Sequence, residues 1–124
     1  MKTSTFYRFM IINIVIILGY SLNAQNSDWR NIENGYIIPD ESYSDQPYIV
    51  KTDDGAWLCV MTTGSGHEGQ LGQHIISLRS FDQGKTWIDK RDIEPGDGVE
   101  ASYAVLLKAP SGRIFVFYNH NTDN

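Results

Sequence analysis

The chain from Gln25 onward alternates short apolar runs with polar breaks, and no stretch keeps the 3.6-residue period of an amphipathic helix. The runs are rich in β-branched and aromatic residues, and Gly, Pro, Asp and Asn separate them. This pattern is typical of an all-β protein. It predicts six strands: Pro47–Lys51, Ala56–Thr63, His74–Ser80, Thr86–Asp89, Ser102–Lys108 and Arg113–Asn119.

The predicted strands form a unit that begins a second time. Asp54-Gly55 predicts a tight turn between the first two strands, because glycine accepts a positive φ without steric cost. Ser111-Gly112 stands between the last two strands at an ungapped offset of 57 residues, and apolar positions align between the two hairpins. A four-strand unit that restarts is typical of propeller blades. Residues 64–72, with four glycines, are predicted to form a site loop.

The first 24 residues have the features of a secretory signal peptide. Lys2 and Arg8 supply positive charge, Phe9–Leu18 is apolar with one interruption, and Leu22-Asn23-Ala24 resembles a cleavage site. The apolar run falls short of the roughly 20 residues that span a bilayer. We therefore expect residues 1–24 to be removed and residues 25–124 to be secreted or periplasmic. A retained N-terminal anchor is the alternative.

Charge and cysteine content narrow the function classes. The chain has 10 basic and 15 acidic residues and a net charge of -5, and both basic residues lost with the signal make the mature chain more acidic still. Nucleic acid and, after signal cleavage, a membrane surface are therefore not expected partners. The single cysteine, Cys59, excludes an intrachain disulfide and zinc sites built on paired cysteines. The sequence indicates no cofactor and no metal.

Ser80–Trp87 carries the most specific motif of the chain. It reads Ser-Phe-Asp-Gln-Gly-Lys-Thr-Trp and matches S-x-D-x-G-x-T-W at every fixed position. This is an Asp box, and the chain resembles the sialidase-type β-propeller superfamily. The resemblance implies structural rather than catalytic roles. Asp82 is expected to accept backbone N–H groups across the turn, and Trp87 to pack against the neighbouring sheet.

The resemblance covers about residues 36–124 and implies the first one and a half blades of a six-bladed propeller. Residues 25–124 are then the N-terminal part of a larger propeller domain. Such a piece alone would leave apolar sheet faces uncovered, including those of Trp57, Ile76 and Phe115.

The same resemblance nominates site residues at the mouth of the propeller. Sialidases place a carboxylate-binding Arg just before the first inner strand, and here Asp45-Gln46 stands before Pro47. An acid at this position repels a carboxylate and suits sugar hydroxyls. Counted back from Arg79, the family's acid/base position falls on Gly69. A one-residue slip in this glycine-rich loop makes Glu68 the candidate, with His67 as neighbour or substitute.

Further substrate-binding candidates come from the loops of the second predicted blade. They are Glu100, His120 and Asn121, with Asn119 beside them. Tyr43, Tyr48 and Tyr103 could stack on sugar faces or pack in the core. For the polar candidates, the competing interpretation is an ordinary solvated loop side chain. His74 shares a strand face with Ile76 and Leu78 and is expected to be a structural histidine.

The resemblance implies a secreted carbohydrate-active enzyme that hydrolyses terminal sugars of a glycan, with carboxylates as acid and base. A polysaccharide lyase using His67 or a tyrosine, and a non-catalytic glycan-binding propeller, remain open, because Asp boxes occur in all three classes. The expected partner in each case is a glycan or polysaccharide.

Overall fold

A computed structural model of the chain describes residues 28 and 30–122 and divides the chain into two compact units, residues 1–35 and 36–124. The predicted signal peptide, residues 1–24, lies outside the described residues. In the first unit, a single turn of 3-10 helix spans Ile32–Asn34. The Asn31 side chain caps it by accepting a hydrogen bond from the Glu33 backbone N–H.

The second unit is built from six antiparallel strands, which confirms the all-β prediction. The strands are β1 (Tyr43–Lys51), β2 (Trp57–Gly64), β3 (His74–Ser80), β4 (Ile88–Asp92), β5 (Ala101–Lys108) and β6 (Ile114–His120). The first four form one sheet in the order β1-β2-β3-β4, and β5 and β6 form a second sheet. The fourth strand begins two residues later than predicted, because the Thr86 backbone N–H bonds to Asp82 in the preceding turn.

The hairpins β1-β2 and β5-β6 have a bulge at equivalent positions, in addition to the same pattern of apolar residues. This confirms that the hairpin repeats at an offset of 57 residues. In β1 a bulge separates the pairs Asp45↔Thr62 and Tyr48↔Val60, and β5 has the same bulge 57 residues later. The bulges place Gln46 at φ +46° and its counterpart Tyr103 at φ +58°. The two hairpin turns also correspond.

One face of the first sheet packs against the second sheet. Val60 and Ile75 from the first sheet meet Ala101, Ala104 and Leu106 of β5, and all five are buried. Val50 of β1 packs against the same cluster, so this shared apolar core keeps β1 and β5 close to one another.

The opposite face of the first sheet has its own buried cluster, formed by Cys59, Met61, Ile76 and Leu78. Ile38 and Trp87 pack against it. Two expectations were therefore wrong. Ile76 is fully buried rather than uncovered, and Trp87 covers its own sheet rather than a neighbouring one, because the Asp-box turn folds the indole back over β2 and β3.

The Asp82 carboxylate holds the Asp-box turn in place through three hydrogen bonds. Its Oδ1 accepts hydrogen bonds from the Thr86 backbone N–H at 2.9 Å and the Ser80 hydroxyl at 2.8 Å, and its Oδ2 accepts from the Thr86 hydroxyl at 2.7 Å. These bonds, led by the Thr86 N–H, lower the pKa of Asp82 to about 2. Gly84 has φ +85°, and a Cβ there would lie 3.3 Å from the Trp57 ring. The structural role predicted for Asp82 is confirmed.

Candidate functional site

A cleft of about 470 Å³ opens at the end of the second unit where β5 begins and β6 ends. Four predicted site residues line it together: Glu68, Glu100, His120 and Asn121. Ser102, Tyr103, Asn119 and Gly69 complete the lining. The residues of β5 and β6 meet because the two strands are antiparallel, so that the start of one lies beside the end of the other. Glu68 and Gly69 come from the loop between β2 and β3.

Asp45 belongs to the same electrostatic neighbourhood. Desolvation raises the pKa of Tyr43, and the negative charges of Asp45, Glu68 and Glu100 raise it further. Both Tyr43 and Asp45 are half-buried at the start of β1. Three carboxylates from three separate segments therefore act on one tyrosine, and the region has a negative potential.

Tyr103 is the side chain most directly tied to a predicted catalytic residue. Its hydroxyl donates a hydrogen bond of 2.5 Å to Oε1 of Glu68. This bond and the charge of Glu68 raise the pKa of Tyr103 to about 12, so the phenol stays protonated at ordinary pH. Sequence reasoning treated Tyr103 as a residue that stacks on a sugar or packs in the core, and did not predict its bond to Glu68. Its positive φ lies in the β5 bulge, an irregularity that redirects side chains.

Glu100 is the buried carboxylate of the cleft, with 9% of its surface exposed. The Asn121 backbone N–H donates to the Glu100 carbonyl at 2.9 Å, and the Asn121 side-chain amide lies 3.4 Å from Oε2. Among the described residues, no Lys, Arg or His forms an ion pair with Glu100. A buried carboxylate without a cation is well suited to accept hydrogen bonds from a ligand.

The loop that carries Glu68 is fixed by Gln73, a residue that sequence reasoning missed. Gln73 is 1% exposed, its Oε1 accepts from the Gly69 N–H at 3.0 Å, and its Nε2 donates to the His67 carbonyl at 2.6 Å. The two bonds hold the backbone on either side of Glu68. A polar side chain at the foot of a buried strand, directly after a glycine-rich loop, was the signal available in the sequence.

Three predicted residues, Asp45, Gln46 and His67, are not among those that line the cleft. His67 is exposed beside Glu68, and Gln46 is exposed in the β1 bulge. A second cleft, of about 500 Å³, is lined by residues 71–72 and 96–99. Asp97 is its one ionisable lining residue, so this larger cleft offers less chemistry than the one around Glu68 and Glu100.

His74 is buried, as expected of a structural histidine, with 3% of its surface exposed. Its Nδ1 lies 2.9 Å from the Gly72 carbonyl oxygen. On the other side of the ring, Nε2 lies 3.7 Å from Oε2 of Glu41 and 3.6 Å from Oδ1 of Asp92. This group stands at the β3-β4 side of the first sheet.

Comparison with known proteins leaves the site to be interpreted from its own residues. No family model matches this chain. No curated protein shows significant sequence similarity to it. Within residues 28 and 30–122, no helix has the length and apolar character needed to cross a membrane.

Proposed function

We propose that this protein is a secreted, sialidase-like glycoside hydrolase that acts on terminal sugars of glycans. The observation that carries the proposal is the convergence of Asp45, Glu68 and Glu100 with two tyrosines around one end of the β1-β2 and β5-β6 hairpins. Glycoside hydrolysis uses carboxyl groups as acid and base or nucleophile. The secretory signal predicted in residues 1–24 supports an extracellular or periplasmic location.

Glu68 is the proposed proton-transfer residue. It is exposed to the cleft, and Tyr103 holds one of its oxygens, which leaves Oε2 to face the substrate. Because Tyr103 acts on Glu68 rather than on the sugar, it is a positioning residue in this scheme. Gln73 fixes the backbone beneath Glu68. A proton-transfer group must be held within hydrogen-bonding reach of the atom it serves, and these two contacts limit the movement of Glu68.

Glu100 and Asn121 of the cleft, and Asp45 near it, would bind the sugar. Asp45 and Glu100 can accept hydrogen bonds from sugar hydroxyls, while the Asn121 amide can donate and accept.

A polysaccharide lyase fits these contacts less well. A lyase needs a base to abstract a proton and a cation to neutralise the uronate. Tyr103 has a pKa of about 12, which makes it a poor base at neutral pH, and no Lys or Arg is among the described residues that line the cleft. Glycan binding without turnover remains an outcome of the experiment below.

We further propose that the repeated hairpin is the inner half of a blade in a six-bladed sialidase-type propeller. Equivalent bulges and turns in the two hairpins support a repeat architecture. The outer face of the β5-β6 sheet also supports it, because Val105, Leu107, Phe115 and Phe117 are 41–55% exposed there. A neighbouring blade would cover these side chains.

The test is a kinetic comparison of Glu68→Gln with a matched Glu33→Gln control, since Glu33 lies outside the second unit. The full-length protein would be assayed for sugar release from a panel of neutral, uronic and sialic glycosides. Glu68→Gln should lower kcat by about 10²–10⁴-fold with an unchanged circular dichroism spectrum, and Glu33→Gln should not. Full activity of Glu68→Gln would exclude this residue as the acid, and saturable binding without turnover on any glycan would favour a binding protein.

A further inference from the structure

The cluster Glu41, His74 and Asp92 brings three possible metal ligands to one point. Glu41 lies two residues before β1, His74 begins β3, and Asp92 ends β4. One potential ligand atom from each residue lies within 4.8 Å of the others. The cluster joins segments that are far apart in sequence, and it lies outside the residues that line the Glu68 cleft.

The orientation of the His74 ring favours a metal ligand at Nε2. The Gly72 carbonyl, 2.9 Å from Nδ1, can only accept a hydrogen bond, so Nδ1 carries the proton. In the neutral imidazole the lone pair is then on Nε2, which faces the two carboxylates. Histidine ligands commonly donate their other ring N–H to a backbone carbonyl in this way, and that bond fixes both tautomer and orientation.

The distances around Nε2 exceed those of a hydrogen bond and are compatible with two oxygens that share a metal ion with Nε2. At 3.6 and 3.7 Å, the Asp92 and Glu41 oxygens lie beyond the range of an N–H···O bond. In a tetrahedral zinc site with bonds of about 2.0–2.1 Å, neighbouring ligand atoms lie about 3.4 Å apart. The His74 side chain is only 4% exposed, so the imidazole has little contact with solvent. The carboxylates are exposed enough for an ion to enter.

Lys90 is the cation already present in this cluster, and it would share the carboxylates with a metal ion or move away from them. It forms an ion pair with Oε1 of Glu41, whereas His74 faces Oε2 of the same carboxylate. Its Nζ lies 3.9 Å from Oδ1 of Asp92. With 43% of its side chain exposed, Lys90 can withdraw towards solvent at small cost. Lys90 therefore competes with a metal ion for the negative charge of the two carboxylates, but it does not compete for the His74 nitrogen.

We propose that Glu41, His74 and Asp92 form a zinc-type divalent metal site with a fourth position for water. One nitrogen and two oxygen donors in a three-ligand set suit zinc better than calcium or magnesium, which prefer all-oxygen shells. The proposal departs from the sequence-based expectation of no metal, because the three ligands meet only through strand pairing. It is independent of the glycosidase proposal.

A metal bound here would stabilise both loops that adjoin His74. Gly72 ends the loop that carries Glu68, and its carbonyl holds the His74 ring. Gly96, in the segment after β4, lies so close to the ring that a Cβ there would come within 2.9 Å of Cε1. The metal would connect the segment before β1, the start of β3 and the end of β4, and so would stabilise the fold.

The experiment is a zinc titration of the tag-free, full-length protein after removal of metal by a chelator. Calorimetry should show at least one bound equivalent, cobalt(II) should give the visible absorption of a tetrahedral site, and zinc should raise the Tm. Asp92→Asn and Glu41→Gln should each weaken that equivalent at least tenfold. They change exposed side chains, so they keep the test valid if His74→Ala fails to fold.

Two control variants separate a metal site from an ion-pair cluster. Lys90→Ala should bind zinc as tightly as the parent or more tightly, because it removes a competing positive charge. Asp97→Asn, in an exposed loop, should leave zinc binding unchanged. Absence of zinc binding, or an affinity that Asp92→Asn and Glu41→Gln do not alter, would overturn the proposal.

Discussion

The negative charge of the Glu68 cleft should make the protein discriminate against anionic sugars. Desolvation and then the charges of Asp45, Glu68 and Glu100 raise the pKa of Tyr43, and no Lys or Arg is among the described residues that line the cleft. A carboxylated sugar would therefore enter a region with three negative charges. A neutral sugar would meet the same oxygens as hydrogen-bond acceptors.

The size of the effect follows from a single carboxylate pair. Asp45 is half-buried, so an effective dielectric constant of about 20 is appropriate rather than that of water. Two unit charges about 4 Å apart then repel by about 4 kcal/mol. Since 1.4 kcal/mol corresponds to a factor of ten, one such contact weakens binding by about three orders of magnitude.

The assay compares substrates that differ in one group, such as a glucoside and the corresponding glucuronide, alongside a sialoside. The full-length protein should prefer the neutral member by about 10²–10³-fold in Kd or kcat/KM, and Asp45→Asn should reduce that preference by at least tenfold. Glu33→Gln, which removes a charge outside the second unit, should leave it unchanged. Efficient release of sialic acid by the parent protein would refute the argument.

Three further predictions concern stability. The pKa of Asp82 is lowered to about 2 from an ordinary 3.8, so its contribution to stability is complete above pH 3.8 and is lost as the pH falls towards 2. In thermal melts, Asp82→Asn should therefore lose less Tm than the parent protein as the pH falls through this range. Cys59 is fully buried and burial raises its pKa to about 11, so a thiol reagent at pH 8 should label it only in denaturant, and rapid labelling of the native protein would contradict its burial. Residues 25–124 expressed alone should melt without cooperativity, because apolar side chains such as Phe117 are uncovered; a sharp monomeric transition would contradict this.

The strands were predictable because their signals are local. Asp54-Gly55 and Ser111-Gly112 mark turns, and β-branched runs mark the strands between them. Sequence reasoning placed the start of β1 too late. It began the strand at Pro47, because proline has no N–H to donate to a neighbouring strand. In the structure Pro47 lies within the bulge, where the ladder is interrupted, and β1 extends back to Tyr43.

The site was less predictable because its contacts are non-local. Glu68 and Glu100 were nominated from the resemblance, and they do line one cleft. The bond between Tyr103 and Glu68 joins residues 35 positions apart, and the cluster around His74 joins three different strand ends. Local pattern determines which segments form strands, but the register between distant segments determines which polar side chains meet.

Tyr103 keeps a backbone conformation that glycine would adopt more easily, and this suggests that its side chain is needed. Its counterpart in the first hairpin, Gln46, has nearly the same conformation, at φ +46° against +58°. Positive φ is costly for an aromatic residue, and such strain tends to concentrate at functional sites. The two bulges therefore provide a matched pair in which only one side chain bonds to a predicted catalytic residue.

Tyr103→Gly and Gln46→Gly should relieve the same backbone strain and differ in activity. Both variants should keep a Tm at or above that of the parent, because glycine accepts positive φ without steric cost. Tyr103→Gly should lower kcat on the order of 10²-fold, since Glu68 loses the bond that positions it, while Gln46→Gly should retain most of the parent rate. Tyr103→Phe should resemble Tyr103→Gly in rate, because both lack the hydroxyl. Equal rates for Tyr103→Gly and Gln46→Gly would show that the bulge serves the fold alone.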